Sequence, residues 1–159
     1  MNAKPEWLTK LDEDYSRNRT LRNQTAELAA CQQAILSSGA PKLWGRVRDY
    51  LYETIQSCTF TTSRADRSQV DHALMTISRR DSTSALAVLD VEFVAETYEI
   101  RSSMRVPISG YTPKTFQFTV QGGRVSLSEG GRPLPDNGED VAEVACQRIL
   151  EPLLRLFTS

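Results

Sequence analysis

The sequence predicts an α+β fold with an N-terminal two-helix hairpin, an antiparallel meander sheet of about five strands, and a C-terminal helix packed on the sheet. Three observations predict it. Apolar residues recur at steps of three and four as far as Cys58, then alternate one-for-one between Ala73 and Leu127, and return to helical spacing from Val141 onward. Turn residues punctuate each change of period, with Gly39-Ala40-Pro41, Gly122-Gly123 and Gly130-Gly131 the clearest. No run of apolar residues is long enough to span a bilayer.

Residues 6–58 form the helical part, after a short leading segment, 1–5, that carries no periodic signal. From Glu6 to Ser38 there is no internal Pro or Gly. A seam at Trp7, Leu11, Asp14, Asn18, Leu21, Thr25, Leu28, Gln32 and Ile35 steps alternately by four and three, which is heptad spacing, although nearly half of it is polar. Gly39 suits a left-handed residue after a helix end and Pro41 suits a first helical turn, so the segment is expected to break there into two antiparallel helices. The second helix carries its apolar stripe at Leu43, Val47, Tyr50, Leu51, Thr54, Ile55 and Cys58.

Thr59 to Gln69 is rich in Ser, Thr, Arg and Asp and reads as a loop, which starts the sheet at residue 70 and runs it to 128. Ala73, Met75 and Ile77 alternate in the first strand, and Ala87, Leu89, Val91 and Phe93 in the second, with Asp90 and Glu92 on its other face. The third strand sets Tyr98, Ile100, Met104 and Val106 against Glu99, Arg101, Ser103 and Arg105. Reversal about Glu96-Thr97 pairs Phe93 with Ile100, Leu89 with Met104, Ala87 with Val106 and Glu92 with Arg101, because a one-residue slip turns the apolar set toward water. Gly122-Gly123 then joins strands carrying Phe116, Phe118, Val120, Val125 and Leu127, pairing Val120 with Val125 and Phe118 with Leu127. Glu129 to Pro135 reads as an exposed loop. The last helix, residues 136–157, is expected to be capped by Asp136 or Asn137 and to kink or break near Leu150 because of Pro152.

The chain of 159 residues fits a single domain, long enough to bury a core without a disulfide or metal staple. A formal net charge of −1 supplies no global field toward nucleic acid or an anionic membrane. Three cysteines in an odd set, none spaced C-x-x-C, point to buried free thiols in a reducing compartment, and the absence of an apolar leader after Met1 places the chain in the cytoplasm.

Candidate chemistry is sparse. His72 is the lone histidine, too few for a zinc site with scattered cysteines, and it reads as a strand-end residue rather than half of a catalytic pair. Asp90 and Glu92 project from one sheet face as a carboxylate pair, but with Arg101 beside Glu92 they read as an outward charged ladder. The glycine pairs precede no Lys-Ser/Thr and are turns rather than phosphate loops. Arg64, Arg67, Arg79 and Arg80 make a basic edge, but interleaved Asp66, Asp71 and Asp81 argue against a nucleic-acid face. No catalytic residue, metal or cofactor is assigned.

Two readings lead, ahead of a third in which Asp90 and Glu92 serve an enzyme if they lie in a cleft rather than on an open strand face. The first is a non-enzymatic protein-interaction module, homodimeric, whose adhesive stripe is Trp7, Leu11 and Tyr15. The second is a small-ligand-binding domain with an apolar pocket between sheet and helices, lined by Tyr98, Met104, Phe116 and Phe118, with Arg101 or Arg105 at its mouth if the strand register differs from the one above.

Overall fold

The computed structural model describes residues 3–81, 86–106, 108–135 and 140–158. Among the described residues two helices and seven strands follow one another: α1 Glu6–Ser57, β1 Thr61–Asp66, β2 His72–Arg79, β3 Leu86–Val94, β4 Glu99–Val106, β5 Thr115–Gln121, β6 Arg124–Glu129, β7 Arg132–Pro133 and α2 Val141–Arg155. The strands form one antiparallel sheet in chain order, a complete meander. The α+β class and the antiparallel sheet agree with the sequence reading. The two-helix hairpin and the five-strand count do not.

The expected hairpin is a single helix of 52 residues that runs through Gly39 and Pro41. Gly39 is needed for close approach rather than as a helix stop. A Cβ built there would lie 2.5 Å from Val125 Cγ2 on β6, so only glycine lets the helix sit this near the sheet. Pro41 is exposed and removes one backbone donor from the ladder. Just before it, the Ser37 and Ser38 hydroxyls turn back onto Ala34 O and Ile35 O. Helix continuity is held by burial beyond the proline, where Leu43, Trp44, Val47, Leu51 and Ile55 are at most 4 % exposed.

The two additional strands lie where the sequence reads as loop. β1 pairs with β2 from Thr61↔Arg79 to Asp66↔Leu74, and its polar composition suits an edge position with one solvated face. β7 adds Arg132 and Pro133 beside β6, and Pro is tolerated there because the strand is at the edge.

The β3–β4 register agrees from Val94↔Glu99 to Leu89↔Met104, with Ala95 to Tyr98 as the turn. Beyond Met104 it shifts. Val106 lies opposite Val88 rather than Ala87, so Arg105 is the extra residue of a β-bulge. The shift turns Val106 outward, where it is 40 % exposed. The Gly122-Gly123 hairpin has the predicted pairs Val120↔Val125 and Phe118↔Leu127, with both glycines at positive φ.

One core joins the layers. Met75, Ile77, Leu89, Val91, Ile100, Phe116 and Leu127 on the sheet's inner face are fully buried beneath the C-terminal half of α1. Trp44 stacks on Phe93 at 6.1 Å, and Phe93 meets Phe118 edge-on at 5.4 Å. Each such aliphatic or aromatic side chain contributes about 1.5–3 kcal/mol on burial. Helix α2 lies against α1 and β6 through Ala145, Ile149, Leu150 and Leu153. It runs through Pro152 without the expected break, and its cap is Asp140, which accepts from Ala142 N at 3.1 Å. Asp136 and Asn137, the expected caps, lie outside the described residues. Arg46 pairs with Asp140 and Tyr50 donates to it at 3.2 Å, so the cap also ties α2 to α1.

Candidate functional site

The N-terminal half of α1 leaves the folded body as an arm. From Glu6 to Ala34 every residue is exposed except Leu8 and Asp14, which are half-buried. At 1.5 Å per residue that is roughly 40 Å of helix without tertiary cover. Its helix formers are good from Ala26 onward, but Asn18, Thr20, Asn23 and Thr25 are poor, and most helices in proteins take their stability from packing. The arm nevertheless displays large apolar side chains: Trp7 at 65 %, Leu11 at 55 %, Tyr15 at 61 %, Leu21 at 54 % and Leu28 at 62 % exposure. Lys4 pairs with Asp12, and Arg17 pairs with Asp14, which is itself a seam position. At its root Gln33 Nε2 donates to the Tyr98 hydroxyl at 2.9 Å, linking the arm to the β3–β4 turn.

The sequence-predicted stripe Trp7, Leu11, Tyr15 therefore stands on a free helix tip. Cys31, expected to be buried, is exposed because it lies on the same arm, while Cys58 is half-buried and Cys146 buried. Burial in the apolar contact with α1 pushes the Cys146 thiol up to about 11, which keeps it protonated and unreactive.

The predicted pocket residues are dispersed. Phe116 and Phe118 are core, at 0 % and 3 % exposure. Tyr98 occupies the turn at φ 51° and Met104 packs half-buried at the margin of the core. Arg101 and Arg105 project from the opposite sheet face, Arg101 to Glu99 Oε2 at 2.9 Å and Arg105 to Asp90 Oδ2 at 3.2 Å. Arg101 lies across from Glu92 in register but bonds Glu99 instead.

That outer face holds a group the sequence does not announce. Asp90 receives His72 Nδ1 at 2.9 Å on one oxygen and Arg105 on the other, and the bulge at Arg105 is what brings the guanidinium to it. The Asp90 hydrogen bond holds the imidazole above its ordinary value, against burial, which lowers it. His72 Nε2 faces Glu92 Oε1 at 3.9 Å. An imidazole with a carboxylate at each nitrogen is stabilised as the cation, which makes it a poor general base. The recess beside it, at Asp66, Ser68, Gln69 and Arg105, is about 70 Å³.

A larger open groove of about 490 Å³ runs between α1 and α2, lined by Tyr50, Thr54, Phe60, Cys146, Leu150 and Leu154. Among the described residues no group of three or more His, Cys, Asp or Glu side chains converges as a metal site. Among the described residues no helix is long and apolar enough to cross a membrane.

No protein-family model, curated protein or solved structure matches this chain.

Proposed function

We propose that this chain is a non-enzymatic protein-interaction module that self-associates through the helical arm of α1. The observation that carries the reading is the row of five exposed apolar side chains from Trp7 to Leu28 on a helix with no tertiary cover. Large exposed apolar side chains recurring along one helix mark an interaction site, and an amphipathic helix is an established way to engage a partner. The free cysteines support a reducing, cytoplasmic setting.

Light scattering on the full chain tests it. Twice the chain mass is expected for the wild type, and one chain mass for Leu11→Asp/Leu28→Asp, whose substitutions lie on the arm and leave the core untouched. A wild type that stays monomeric at high micromolar concentration overturns the reading.

A second reading, binding of a small apolar ligand, draws support from the groove between α1 and α2 rather than from the sheet–helix interface. Val47, Leu51, Val144 and Leu153 fill that interface, each at 7 % exposure or less. Saturable binding of an apolar fluorophore that Leu154→Lys abolishes would favour it. Equal binding by both proteins would remove it.

A further inference from the structure

We draw no further inference here: the strongest candidate, the open groove between α1 and α2 that continues past Phe60 toward Arg80, carries nothing, because Asp81 offsets Arg80 at that end and nothing in the structure shows what covers the apolar part.

Discussion

Leu11 and Val47 lie on the same side of α1, about ten turns apart at 3.6 residues per turn, yet Val47 is wholly buried while Leu11 is 55 % exposed. Trp7 stands in the same relation to Leu43, and Tyr15 to Leu51. One helix therefore presents its core-facing pattern twice, once against its own sheet and once at the free end. The expected energetics separate accordingly. In urea unfolding at a dilution where the chain is monomeric, Val47→Ala is expected to lose about 2 kcal/mol. Leu11→Ala should change stability by less than about 0.5 kcal/mol. Equal losses would mean that the arm packs on the body.

Gly39 and Gly45 make an internal comparison on the same helix. A Cβ at Gly39 meets Val125 Cγ2 at 2.5 Å, whereas one at Gly45 meets nothing within 4 Å. Gly39→Ala is expected to destabilise by about 1–3 kcal/mol through overpacking, with part of the loss recovered by Val125→Ala. Gly45→Ala is expected to stabilise by about 0.5–1 kcal/mol, since only the flexibility of glycine is removed. Thermal melts of the four proteins check both signs.

Pro41 distinguishes one helix from two. Inside a continuous helix it costs a hydrogen bond, so Pro41→Ala should stabilise the chain by up to about 3 kcal/mol and raise helicity by circular dichroism. At the first turn of a separate helix the proline would be favourable, and its replacement would stabilise nothing. A loss of stability in Pro41→Ala would contradict the continuous helix.

The His72–Asp90 contact predicts a pH dependence. The hydrogen bond to Asp90 raises the imidazole above its ordinary value. A raised histidine contributes stability that is fully present below the unfolded-state value near 6.5 and is lost as pH rises through the folded-state value. The stability difference between wild type and His72→Gln is therefore expected to be larger at about pH 5.5 than at about pH 8.5. Asp90→Asn should lower the His72 titration midpoint observed by NMR. A difference independent of pH, with an unmoved midpoint in Asp90→Asn, would rule out the contact as drawn.

Much of the sheet was legible because alternation is a local property. Phe93↔Ile100, Leu89↔Met104 and Phe118↔Leu127 follow from which residues must avoid water and from a Gly-Gly turn. The stripe at Trp7, Leu11 and Tyr15 was visible for the same reason. The dispersal of Tyr98, Met104, Phe116 and Phe118 was not, because a shared apolar face looks alike whether it lines a cavity or fills a core.

The sequence by itself determined the α+β class, the antiparallel order of the central strands and the amphipathic pattern of both helices, since each depends on the period of hydrophobicity along a few residues. Only the tertiary structure decided that Gly39 and Pro41 lie within one helix, because the contact with Val125 and the burial beyond Pro41 outweigh local signals that favour a stop. Tertiary pairing likewise made strands of Thr61–Asp66 and Arg132–Pro133, whose polar residues gain a ladder only from a neighbour. It also placed the bulge at Arg105 that brings a guanidinium to Asp90. Periodicity says which side of an element shuns water. Whether that side meets its own core or stands free on an arm depends on distant contacts that no local pattern encodes.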